Sequence, residues 1–163
     1  MTNKYLELAK WHHLAIAYHG STKALKSHTN LTAVRNSNCA FGIECCLKYM
    51  IEIEDSDFDQ NKGHDLEYLF GRINHSTQGT LAGAFEYVMK ESGYDIDFWE
   101  GINNHKGAYL KWRYFTNLDL TDPQKFDDSF DKVFMMNLLD QLVLIVEHLH
   151  KTWADLQKQK TKQ

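Results

Sequence analysis

The chain has 163 residues, 43% of them hydrophobic, a single proline and a formal net charge of −4. That length fits one domain with enough apolar surface to bury a core. The charge excludes the strongly basic composition of a protein that grips nucleic-acid backbone over its whole surface.

A first helix is predicted over residues 4–26, with Tyr5, Leu8, Ala9, His12, Ala15, Ile16 and His19 near one face and Gly20-Ser21-Thr22 loosening it. Residues 27–30 supply a break and an N-cap for a second helix over 31–54, striped by Ala40, Ile43, Leu47, Met50 and Ile51. Residues 55–63 read as an acidic loop without periodicity. Asp65 is suited to cap a short helix through Leu66, Leu69, Phe70 and Ile73. Thr80 caps another, with Leu81, Ala84, Phe85, Val88 and Met89 inside and Gly93 closing it.

Asp95 starts a further turn or two through Ile96, Trp99 and Ile102, and residues 107–115 read either as helix or as an ordered aromatic loop. The last helix starts at Asp122-Pro123 and runs through Phe126, Phe130, Val133, Phe134, Leu138, Leu142, Ile145, Leu149, Trp153 and Leu156. Its tail, from about residue 157, is Lys/Gln-rich and expected to fray. Between 138 and 149 the apolar residues go most of the way round, so this helix needs a second partner. Another layer of the same bundle and a second subunit are equally suited. The expectation is an all-α bundle in one domain.

The apolar stretch 138–146 is interrupted by Asp140 and Gln141 and is too short to span a bilayer. The first ten residues are polar and no small-residue cleavage site follows an apolar run, so no cleavable leader is expected. Cys39, Cys45 and Cys46 all fall in the second helix, where neighbours cannot readily pair, so a reducing, cytoplasmic setting is expected. Charge is uneven. Residues 1–54 carry six Lys/Arg against four Asp/Glu, residues 55–100 three against ten, and residues 101–163 nine against eight. The acidic middle leaves room only for a small local basic site.

Glu44-Cys-Cys-Leu-Lys48 on the second helix, Lys62-Gly-His-Asp-Leu66 with Leu69, and Lys111-Trp-Arg-Tyr114 come in an order that resembles the HEPN (higher eukaryotes and prokaryotes nucleotide-binding) superfamily. The resemblance covers most of the chain. It implies an up-and-down bundle of four long helices with short extra ones, commonly a homodimer. It also implies metal-independent RNases, toxins or phage-defence effectors, nucleotide binders, or inactive partners of these. The ribonuclease members carry an Arg followed, after four to six residues, by a His. Neither Arg35, Arg72 nor Arg113 has one at that spacing; Arg72-Ile-Asn-His75 comes nearest, and on one helix the two side chains would lie i, i+3.

Glu44 falls inside an apolar stripe, where a carboxylate is costly unless paired. Lys48 at i+4 is a ready partner, with His64 or Arg113 supplied from elsewhere. The group reads as one wall of a polar pocket or as a buried structural ion pair. His64 and Asp65 open a helix behind Gly63, either holding an anion or capping the turn. Lys111 and Arg113 among Tyr109, Trp112, Tyr114 and Phe115 suit stacking on a base and neutralising a phosphate, or shielding core aromatics with their stems.

No metal is expected: Glu147-His-Leu-His150 has Glu-x-x-His spacing, but no second such motif exists. No Gly-rich phosphate loop or Ser-centred elbow is present, no cofactor is implied, and the cysteines read as core filling. The expected function is non-catalytic binding of a nucleotide, an RNA end or a partner protein. The resemblance alone places it in a defence or toxin–antitoxin setting. The alternative is a ribonuclease with a rearranged set of Arg72, His75, His64 and Arg113; a third reading is a purely structural interaction module.

Overall fold

The computed structural model describes residues 4–54, 63–108 and 131–160, and all regular structure among them is helical. Helix α1 spans Lys4–Ala24, and a 3-10 turn at Thr29–Leu31 leads into α2, Thr32–Glu54. After these come α3 (Leu66–Arg72), α4 (His75–Glu91), α5 (Phe98–Asn104) and the long α6 (Lys132–Lys160).

The short connection makes α1 and α2 antiparallel, with Lys4 Nζ at one end of α1 donating to the Ile53 carbonyl at the far end of α2 (3.3 Å). Helix α6 runs antiparallel to α1 and parallel to α2. The pairs Tyr5–Trp153 and His19–Asp140 fix the first direction; Cys39–Met135 and Tyr49–His150 fix the second. Every residue from Gly42 to Glu52 of α2 is buried, so α2 is the centre of the fold.

The close seams explain individual residues. A Cβ on Gly42 would meet Leu139 Cδ1 at 2.9 Å, and one on Gly101 would overlap the Phe134 ring. Helices α3, α4 and α5 form a second group held by rings, Phe70–Phe98 and Phe85–Phe98 with centroids 5.0 and 5.4 Å apart, and Phe85–Phe134 at 5.1 Å joins it to α6.

Several expectations shift. In α1 the buried stripe is Leu8, Trp11, Ala15 and Thr22, while Tyr5 is exposed, because the helix turns Trp11 rather than His12 toward α2. The helix does not loosen at Gly20: Ser21 and Thr22 hydroxyls fold back onto the Tyr18 carbonyl (3.0 and 2.7 Å) and the helix runs on.

Helix α4 begins not behind Thr80 but six residues earlier, at His75. Asn74 caps it by accepting from the Thr77 amide, and Glu54 at the end of α2 holds Asn74 through both its amide nitrogens. Ala84 and Val88 are accordingly exposed, and Gln78 and Ala82 are buried. Gly93 does close the helix, at φ +85°. In α5 the cap is Asp97, which accepts from the Glu100 amide at 2.7 Å, and Phe98 rather than Trp99 faces the core.

The Asp122-Pro123 start lies outside the described residues. The described α6 starts behind Asp131, whose carboxylate accepts from the Phe134 amide at 2.9 Å, and the helix continues through Lys160 rather than ending at Leu156. By length and composition α6 would also pass for a membrane span. Phe134, Met135, Leu138, Leu139, Leu142, Val143 and Val146 are instead buried against the other helices, leaving Leu144 66% exposed.

Candidate functional site

The carboxylate of Glu44 is wholly buried in the middle of α2. Lys48, one turn on and also buried, places Nζ 2.9 Å from Glu44 Oε1. From the other side comes His64, whose Nδ1 sits 3.1 and 3.0 Å from the two carboxylate oxygens and donates to them. Gly63 makes this reach possible: its φ of +96° is in the left-handed region, and it turns the chain so that His64 faces α2 while Asp65 begins α3. The side chain of His64 is 40% exposed, whereas those of Glu44 and Lys48 are 1% and 3% exposed. One edge of a buried ionic group therefore comes to the surface through an imidazole.

Trp11 of α1 closes the group from above. Lys48 Nζ lies 5.0 Å from the centre of its ring and Lys10 Nζ 4.5 Å. The Trp11 indole N–H is buried and has no acceptor among the described residues. A buried donor of this kind is uncommon, and it stands beside an ion pair already removed from water.

Of the remaining sequence-derived residues, Asp65 acts as the cap of α3, accepting from the Tyr68 amide at 2.9 Å. Helix α3 is too short to make its N-terminus an anion site of its own. Lys111 and Arg113 lie outside the described residues. Arg72 and His75 are not i, i+3 on one helix: Arg72 ends α3 and His75 begins α4, with Ile73 and Asn74 extended between them. Asn74 is committed to capping α4 and to Glu54, and this forces the corner. Both side chains are on the exposed side of it.

The cysteines behave as core residues. All three are free and buried, and burial pushes each thiol well above its usual range, with the Glu44 charge adding to the effect at Cys45. His150, from the Glu-x-x-His sequence, stacks flat on His12 of α1 (ring centres 3.9 Å apart, planes within 9°), and its Nδ1 is 3.2 Å from the Tyr49 hydroxyl. Sequence periodicity missed this pair because the two residues are far apart in the chain. It also missed His105, buried in the α5 turn, where Nδ1–H donates to the Gly101 carbonyl (2.8 Å) and Nε2 accepts from the Asp131 amide (3.1 Å).

Burial lowers the pKa of both stacked imidazoles; at His12 the neighbouring His150 and His13 add to this and Glu147 opposes it. Burial likewise raises the Tyr49 phenol to about 12, so it stays a neutral hydrogen-bonding group. A histidine with a depressed folded-state pKa contributes stability above the unfolded value of 6.5. That contribution is lost as pH falls through the folded values. Thermal melts of the wild type should therefore lose more stability between about pH 7 and pH 5 than those of His12→Phe, which keeps a stacked ring but cannot titrate. Parallel pH profiles for the two proteins would refute this.

No protein-family model, no curated protein and no solved structure matches this chain.

Proposed function

We propose that this chain is a HEPN-like helical module that binds the phosphate-bearing end of a nucleotide or RNA without cleaving it. Its site is the Glu44–Lys48–His64 group together with Lys111 and Arg113. The reading rests on one observation: a buried carboxylate holds a half-exposed imidazole, beside an indole N–H that lacks an acceptor among the described residues. A buried ion pair adds little net stability and is weak evidence of a purely structural role. Ionisable groups converging on a buried carboxylate, with one of them reaching the surface, favour a site. Charges of Glu44 and Lys48 cancel, so attraction for a phosphate falls to Lys111 and Arg113, whose aromatic neighbours suit stacking on a base. The resemblance in motif order supports the same reading and carries with it a four-helix up-and-down bundle, a cytoplasmic homodimer and a defence or toxin–antitoxin setting.

Fluorescence anisotropy with a labelled short RNA and with a labelled adenine nucleotide tests this. Binding should saturate and weaken with salt. It should disappear in Arg113→Ala, with the melting temperature nearly unchanged, and weaken in His64→Ala. Folded protein that binds neither probe overturns the reading. Shortening of the RNA would move the assignment to the ribonuclease alternative, with Arg72 and His75 the first residues to replace. Light scattering should give a dimer, and a monomer at high micromolar concentration would refute that part.

A further inference from the structure

A cavity lies roughly 12 Å further along α1 from Trp11 by helical rise. It has a volume of about 260 Å³ and sits between the last two turns of α1 and the first turns of the described α6. Met136 and Leu139 give it an apolar side, and His19, Lys23, Lys26 and Asp140 give it a polar one. Thr22 also borders it, but its hydroxyl is committed to the Tyr18 carbonyl at 2.7 Å.

The charges here do not balance. Asp140 is the one carboxylate, and it is shared: His19 Nε2 is 2.6 Å from Oδ1 and Lys23 Nζ is 3.4 Å from the same oxygen. Lys26 makes no ion pair among the described residues. With His19 counted as neutral, two lysines against one aspartate leave this wall at +1. A cation is therefore disfavoured, and a neutral apolar ligand would leave the surplus charge unanswered beside it. The volume falls just below the range of roughly 300–1,000 Å³ typical of pockets for drug-sized ligands, which is too small for a nucleotide.

We propose that this cavity binds a small organic monoanion, a carboxylate whose apolar body lies on Met136 and Leu139 and whose charge meets Lys23 and Lys26. Asp140 sits in this site as a built-in competitor. It engages Lys23 while the cavity is empty and opposes the incoming charge. The site shares no residue with the Glu44 group and stands or falls separately from the nucleotide reading.

The test is a titration of the isotopically labelled full chain with hexanoate, followed by amide chemical shifts. Hexan-1-ol and inorganic phosphate serve as probes of the apolar body alone and of negative charge alone. Saturating shifts should cluster at residues 19–26 and 136–140 with hexanoate and with neither control. Asp140→Asn should tighten hexanoate binding by roughly three- to tenfold, since it removes a like charge and releases Lys23. Lys23→Met combined with Lys26→Met should weaken it at least as much in the opposite direction, and Met136→Trp, which fills the cavity, should abolish it. Arg113→Ala should leave it intact. Shifts that fail to saturate, phosphate alone reproducing them, or Asp140→Asn weakening or not altering the affinity would each overturn the proposal.

Discussion

Glu44→Ala should destabilise the protein by about 3–5 kcal/mol, because it removes the buried carboxylate that both the Lys48 ammonium and the His64 imidazole contact. For a domain of this size that is a fall in melting temperature on the order of 10 °C. The cost belongs to the buried charge that loses this contact rather than to the pair. Glu44→Leu combined with Lys48→Met should recover most of it, since two apolar side chains of similar volume avoid both desolvation penalties. The two proteins then separate stability from function: the double variant should fold well and still fail to bind nucleotide or RNA. Denaturant unfolding of both variants decides the first point. If Glu44→Ala and the double variant are equally destabilised, the ion pair is not what makes Glu44 costly to remove.

Leu142→Asp should be more damaging still, at least about 4 kcal/mol and enough to prevent expression of folded protein. Leu142 is 1% exposed on the side of α6 that faces the core, where an aspartate would be an unpaired charge. Leu144, two residues away, is 66% exposed, and Leu144→Asp should stay within about 0.5 kcal/mol of wild type in the monomer. Circular dichroism melts of the pair provide the comparison. Equal effects would mean that α6 is rotated from the orientation described. A large effect of Leu144→Asp alone, accompanied by a change in light scattering, would instead assign Leu144 to a subunit contact.

What could be read from the sequence was whatever depends on local order. Helix-period stripes located α2 and most of α6, and Asp65 announced α3 through the ordinary chemistry of a cap. The Glu44–Lys48 pair was legible because i, i+4 spacing places both on one face, and its partner His64 because a carboxylate in an apolar stripe demands donors. Errors arose where a distant residue decides. Asn74 rather than Thr80 begins α4 because Glu54, twenty residues earlier, braces it. Trp11 rather than His12 faces inward because Lys48 and the α2 surface select the ring. The His12–His150 stack and the cavity beside Asp140 both need the antiparallel register of α1 and α6, which no local pattern encodes.

The two contacts that bracket residues 55–62 have a practical consequence for handling the chain. On one side Glu54 holds the Asn74 corner; on the other His64 is seated on Glu44. Both ends of that segment are thus anchored by side chains outside it. Closure entropy grows only logarithmically with added residues, about 0.6 kcal/mol per doubling. A reporter peptide or protease site spliced in after Glu54 should be carried at little cost. Cleavage there would leave two fragments, one bearing α1 and α2 and the other α3 onward, that hold together through the α2–α6 seam. A split-protein assay could therefore be built at this position, with reassembly of the halves as its signal.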